Sequence, residues 1–243
     1  MDNIYQQIFT IRASEIDQQK RLRLDAFAAQ LQEVAWEHAN VLNVGKQFFE
    51  ENRFWVLSRL QIKVNRLPTW GEEVILKTWP KGIDKLFALR DFEMKTREGE
   101  VLLSATSAWL IMNRTSRRPI RPDEIISRLK PIANVEAIAG TAPKIESAQT
   151  TSRHICTRTA RASDLDMNGH VNNVAYLRWA LDGAAELSAI EAMSFSKISI
   201  NYQSESFLLE EISLSIASES NHSCIMTGIS NRDQRKVFTV RLN

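Results

Sequence analysis

Arg12-Ala13-Ser14-Glu15-Ile16-Asp17 returns 149 residues later as Arg161-Ala162-Ser163-Asp164-Leu165-Asp166, with four of the six positions identical. At the same spacing Ala26-Phe27-Ala28 meets Ala175-Tyr176-Leu177, so the match outlasts the hexapeptide. Further on, Glu72-Glu73-Val74-Ile75-Leu76 resembles Glu210-Glu211-Ile212-Ser213-Leu214 at a spacing of 138, which gives the second copy the shorter connection. Self-similarity of this kind means that one folding unit is used twice.

Both copies carry the same order of elements. Leu24, Phe27, Ala28, Leu31, Val34, Ala35, His38 and Leu42 form an apolar stripe at helical spacing. The counterpart reads Tyr176, Leu177, Ala180, Gly183, Ala184 and Leu187, and its small residues allow the helix to lie close to a sheet. Strand-like segments follow at 54–64, 73–79, 86–95 and 101–112 in the first copy, and at 197–203, 210–217, 224–229 and 237–242 in the second. Ile198, Ile200 and Tyr202, like Ile212, Leu214 and Ile216, alternate as in half-buried strands. Polar turns at Glu98-Gly99 and Asn231-Arg232-Asp233 predict antiparallel hairpins. Each half therefore reads strand, helix and four strands, an α+β arrangement. Residues 131–152 lack periodicity and suit a connection over the surface.

Composition narrows the function without naming it. The 243 residues, 44% hydrophobic and 25% charged, are those of a globular protein with a sizeable core. Thirty-one Lys and Arg against 29 Asp and Glu leave a net charge of +2, which does not point to nucleic acid. Residues 101–113 form an uncharged stretch far shorter than the roughly 20 residues of a spanning helix. The start, Met1-Asp2-Asn3, has neither a basic cluster nor an apolar segment, so a cytoplasmic location is expected. Cys156 and Cys224 lack metal-type spacing and are expected to be buried thiols. The eight glycines are isolated, which excludes a Walker A loop, a Rossmann fingerprint and a G-x-S-x-G elbow. His38, His154, His170 and His222 form no metal-ligand pair in sequence; His38 and His154 are expected to be structural and His222 to lie in a turn. The six tryptophans suit core or the wall of an apolar pocket.

One segment separates the copies. Asp166-Met167-Asn168-Gly169-His170-Val171-Asn172-Asn173 precedes the second helix, whereas the first copy has Asp17, Gln19 and Arg21 opposite Asp166, Asn168 and His170. A helix-entry turn alone requires no histidine, although Asp and Asn favour turns intrinsically and the string also reads as a turn network. These residue types suit attack on an activated acyl carbonyl. Gly169 permits a sharp turn, Asn172 or Asn173 can cap the helix, and free helix amides with Asn168 can stabilise an oxyanion. His170 can transfer protons near neutrality, and Asp166 can orient a partner.

Asp166 to Asn173, continued by Val174-Ala175-Tyr176-Leu177, resembles the acyl-(acyl carrier protein) thioesterases, whose hallmark is an Asn-x-His-Val-Asn-Asn segment. The resemblance extends to Trp109 through Arg118 and to Ile200 through Glu205, and so spans both halves. It implies a tandem double hot-dog fold, with an N-terminal domain over 1–135 that holds the acyl chain, a linker over 136–149 and a catalytic C-terminal domain over 150–243. It implies that Asp166, Asn168, His170 and Glu205 are catalytic, with no cofactor and no metal. A cysteine that follows the glutamate in plant members is Ser206 here, which argues against a covalent cysteine mechanism and for direct attack by water, with Glu205 or His170 as base. The implied partner is an acyl carrier protein bearing a fatty acyl-phosphopantetheine, with no nucleic acid or membrane; a homodimer is allowed. Arg114, Arg117, Arg118 and Arg121 form a basic run suited to steering that acidic partner, or a solvated loop. The alternatives are an acyl-CoA thioesterase and a non-catalytic acyl-thioester-binding regulator.

Overall fold

A computed structural model describes residues 3–132, 134–146, 151–186, 195–220 and 223–243, so the expectations for Leu187 and His222 lie outside the described residues. The chain divides into two compact units, 1–142 and 143–243. In the first, β1 (Tyr5–Thr10) leads through a 3₁₀ turn at Ala13–Glu15 into α1 (Leu24–Val41) and the short α2 (Lys46–Glu50). The strands β2 (Arg53–Val64), β3 (Glu73–Asp84), β4 (Phe87–Thr96) and β5 (Val101–Asn113) follow, then β6 (Pro119–Ile120) and α3 (Ile126–Leu129). The principal strands lie in the order β1-β3-β4-β5-β2, each neighbour antiparallel.

The second unit runs β7 (Arg153–Thr159), a 3₁₀ turn at Ala162–Asp164, α4 (Asn173–Ala185), β8 (Lys197–Tyr202), β9 (Glu211–Ser220), β10 (Ser223–Ser230) and β11 (Lys236–Leu242). Its order is β7-β9-β10-β11-β8, again antiparallel. Counted from its own first strand, each sheet reads one, three, four, five, two. Both polar turns join hairpins, β4 to β5 and β10 to β11.

Each long helix buries its stripe against its own sheet. Phe27, Leu31 and Val34 of α1 are at most 3% exposed, and burial of such a side chain is worth roughly 1.5–3 kcal/mol. On α4, a Cβ added to Gly183 would come within 3.2 Å of Met226 and 3.5 Å of Leu214. Glycine thus sets the close approach of helix and sheet in the second unit.

Four expectations differ from the structure, the last being the burial of Cys156, which is only half-buried. β3 does not stop at Trp79 before Pro80. A bulge between Pro80 and Gly82 absorbs the proline, which lacks an amide hydrogen, and the strand continues to Asp84. The extra residue, Lys81, is almost fully buried: its ammonium lies 3.3 Å from Asp91 and donates to the carbonyls of Ile138 and Gly140. β8 is buried on both faces rather than half-buried, because Pro143–Ile145 covers it. The Asn201 amide donates to the Pro143 carbonyl at 2.9 Å and accepts from the Ile145 amide at 2.8 Å. Trp70 is exposed in a loop, while Trp79 and Trp179 are buried and Trp36, Trp55 and Trp109 are half-buried. Cys156 and Cys224 are free thiols, half-buried and buried respectively.

His38 has a structural role. Arg90 donates to its Nδ1 at 3.0 Å, so the proton sits on Nε2, which faces Asn3 Oδ1 at 3.2 Å, and the Tyr5 ring stacks on the imidazole. Burial, and next the charge of Arg90, pull the His38 pKa from 6.5 down to about 3. The unfolded chain takes up a proton here below about pH 6.5, so stability that is complete above that pH is lost progressively as the pH falls towards the folded value. Urea titrations at about pH 7.5 and about pH 5 are expected to differ by roughly 1–2 kcal/mol from this group alone, and by less in His38→Gln.

Candidate active site

The two helix-entry turns share one hydrogen-bond plan. Asp17 Oδ1 accepts from the amides of Gln19 and Arg21, both at 2.9 Å. Asp166 Oδ1 accepts from those of Asn168 at 2.8 Å and His170 at 3.3 Å. Three residues past each aspartate the chain turns left-handed, at Lys20 with φ 62° and at Gly169 with φ 77°. The fifth residue then bonds a later loop, Leu22 to the Pro68 carbonyl and Val171 to the Ser206 carbonyl. Backbone and aspartate are therefore common to both units, and the side chains on the turn are not.

In the second unit this geometry brings His170 to Glu205. Glu205 comes from the loop between β8 and β9, and its Oε1 lies 3.4 Å from His170 Nδ1. The His170 side chain is 19% exposed and that of Glu205 43%, so the pair is partly screened yet open to a substrate. Phe207 meets the imidazole edge to face, with centroids 5.2 Å apart. Asn168 is exposed, with its amide nitrogen 3.4 Å from Asp166 Oδ2. Asn172 caps α4, its side chain accepting from the Val174 amide at 2.9 Å. The structure thus gathers Asp166, Asn168, His170 and Glu205 within one unit, with Asp166 engaged to the turn as Asp17 is in the other.

Ser206, the next residue of the same loop, is fully buried. Burial pushes the neighbouring Tyr176 phenol up to about 12, and Ser206 partly offsets the shift. Two further groups, Glu210 and Arg235, escaped the sequence reading. Glu210 is buried and accepts from the Phe207 amide at 3.0 Å, from Ser230 Oγ at 2.6 Å and from Arg235 at 2.6 Å. Arg235 also donates to the main-chain carbonyl of Glu205 at 2.7 Å. Burial opposes its charge, but Asp233 and Glu210 more than offset this and raise its pKa. Glu210 stands in the repeat opposite Glu72, a signal present in the sequence; Arg235 has none. Among the described residues no group of three or more His, Cys, Asp or Glu side chains could hold a metal ion.

Residues 2–129 match the model of the acyl-ACP thioesterase N-terminal domain, and residues 144–238 that of the C-terminal domain. The chain belongs to the acyl-ACP thioesterase family. It is 33% identical over 215 residues to a chloroplastic palmitoyl-acyl carrier protein thioesterase of Gossypium hirsutum, covering 83% of this chain and 52% of that protein. It is 30% identical over 223 residues to the chloroplastic oleoyl-acyl carrier protein thioesterase 2 of Arabidopsis thaliana, covering 83% and 59%. The chain spans about half the length of the curated relatives it matches. Among solved structures, the 12:0-ACP thioesterase from Umbellularia californica gives a TM-score of 0.83 at 24% identity over 100% of this chain and 97% of that one. An acyl-ACP thioesterase from Bacteroides thetaiotaomicron gives 0.82 at 24%, over 99% and 97%. The acyl-ACP thioesterase fold, a tandem of two hot-dog units, is thus shared along the chain. No helix among the described residues is long and apolar enough to cross a membrane.

The shared turn has a measurable consequence. Asp17→Ala and Asp166→Ala each remove one carboxylate that serves two amides, and each is expected to lower stability by about 1–2 kcal/mol. Only Asp166→Ala should also displace the His170 ring resonances, which thermal unfolding and NMR together can check.

Proposed function

We propose that the chain hydrolyses the thioester of an acyl-acyl carrier protein, releasing free fatty acid and the holo carrier. The observation that carries this reading is the His170–Glu205 pair, 3.4 Å apart, at two positions whose counterparts in the first unit are Arg21 and Leu67. A carboxylate beside an imidazole can take a proton from water, and a flanking helix terminus supplies electrostatic stabilisation. Family membership supplies the substrate class. All four proposed catalytic residues belong to residues 143–243, so no second copy is needed to assemble them.

In this mechanism water attacks the thioester carbonyl, forming the new C–O bond while its proton passes to the Glu205–His170 pair. The oxyanion is held by Asn168 and by the first amide of α4. The Val174 and Ala175 amides already bond Asn172, which narrows the helix contribution to Asn173. Collapse of the intermediate breaks the C–S bond, and the leaving thiolate recovers the proton. Asp166 keeps the turn in shape through the Asn168 and His170 amides. Buried Ser206 takes no part. The first unit would receive the acyl chain, and a cytoplasmic setting belongs to the same reading. His170→Ala and Glu205→Gln are each expected to lower kcat at least a hundredfold with thermal unfolding unchanged. Released thiol and free acid, assayed on acyl-carrier and acyl-CoA substrates, measure this. Faster turnover of the CoA ester would favour an acyl-CoA thioesterase.

The basic run supplies the docking surface in this proposal. All four arginines are exposed, but Arg114 and Arg117 are engaged over the rings of Phe49 and Phe54, which makes Arg118 and Arg121 better suited to steering an acidic partner. Arg118→Glu combined with Arg121→Glu is expected to raise KM for the carrier substrate several-fold at low salt and to leave small thioesters unaffected. Steady-state assays at two ionic strengths test this.

A further inference from the structure

We propose that Arg235 is a positioning residue for this reaction, holding the Glu205 main chain so that the Glu205 carboxylate stays against the His170 imidazole; the role rests on the hydrolytic reading above. The loop that bears Glu205 is exposed at residues 207–209 and includes Leu209 in the left-handed region at φ 63°, a conformation that side chains disfavour. Such a loop needs outside restraint. One nitrogen of Arg235 supplies it, donating at once to the Glu205 carbonyl at 2.7 Å and to Glu210 Oε1 at 2.6 Å. The other carboxylate oxygen of Glu210 takes the Phe207 amide, so both sides of Ser206 are tied to one ion pair whose carboxylate is buried and whose guanidinium is partly exposed. Arg235 is itself fixed by Asp233 at 2.6 Å and by Ser230 Oγ at 3.3 Å. A planar guanidinium gripped from several sides is a stiff strut, which a surface ion pair is not.

The first unit shows what the same loop does without this strut. There Glu72 takes the Thr69 amide as Glu210 takes that of Phe207, but its arginine, Arg66, comes from the loop itself and is 41% exposed. The inward arginine from the hairpin accompanies the unit that carries the His170–Glu205 pair.

A double-mutant cycle tests the proposal with the full chain and an acyl-carrier substrate. Arg235→Gln is expected to lower kcat about tenfold or more, to leave KM within about twofold and to shift the pH–rate profile, since a displacement of about 1 Å at a reacting group costs this much. Arg235→Lys keeps a cation opposite Glu210, and so the fold, and should fall between wild type and Arg235→Gln. Added to Glu205→Gln, Arg235→Gln should cost less than about twofold more, because the two act through one group. An unchanged kcat in Arg235→Gln and Arg235→Lys overturns the positioning role, as does the same loss in the Glu205→Gln background. Full activity of Glu205→Gln overturns the hydrolytic assignment of Glu205 itself, and the positioning role with it. Loss in Glu205→Gln beside intact Arg235→Gln overturns the positioning role alone.

Discussion

A carboxylate that accepts from the amides two and four residues ahead turns the chain from first strand to helix in both halves. Without Asp17 or Asp166 those amides would be left to water at a junction where neither strand nor helix supplies an acceptor, and the turn would lose the bonds that hold its shape. Each turn then fixes the residue that enters the helix and the loop it meets, at Pro68 in one unit and Ser206 in the other. The direction of the helix over its sheet, and hence the packing of its apolar stripe, follows from that entry. So does the place of His170, whose own amide is one of the two held by Asp166.

Because the turn is backbone and aspartate, it tolerates different chemistry on its surface. The first unit carries Lys20 in the left-handed position and Arg21 at the place of the histidine, with Arg21 bonded back to Asp17 through Nε at 3.1 Å. That arrangement closes the turn on itself. In the second unit Gly169 relieves the left-handed strain, and the ring of His170 faces outward to Glu205 and Phe207. Conformation is held constant while the side chains that the turn presents differ between the copies.

The parts legible from sequence are those governed by local periodicity. The stripe from Leu24 to Ala35, the alternation at Ile212 and Leu214, and the polar hairpin turns depend on neighbours within one element, and the structure has them. Exceptions arise where distant chain decides burial. β8 looks half-buried until the segment from Pro143 covers its second face, and β3 looks finished at Pro80 until a bulge turns Lys81 inward to Asp91. The site divides in the same way. His170 differs visibly from its repeat partner, whereas Glu205 stands out only through family resemblance, because its relation to His170 is made by the fold. Arg235, drawn in from a hairpin further along, carries no local signature.

The stretch between the two sheets is a structural part of each. Its backbone is bonded by Trp79, Lys81 and Asp91 up to Gly140, and by Asn201 from Pro143 onward. Anyone dividing the gene into separately expressed fragments therefore has a narrow place to cut. A fragment that stopped at residue 135 would deprive the buried Lys81 ammonium of two carbonyls and Asp91 of an amide. One that began at residue 150 would uncover a face of β8 and leave Asn201 without either partner. Between Gly140 and Pro143 the cost is least, so the junction that respects hydrogen bonding is only a few residues wide.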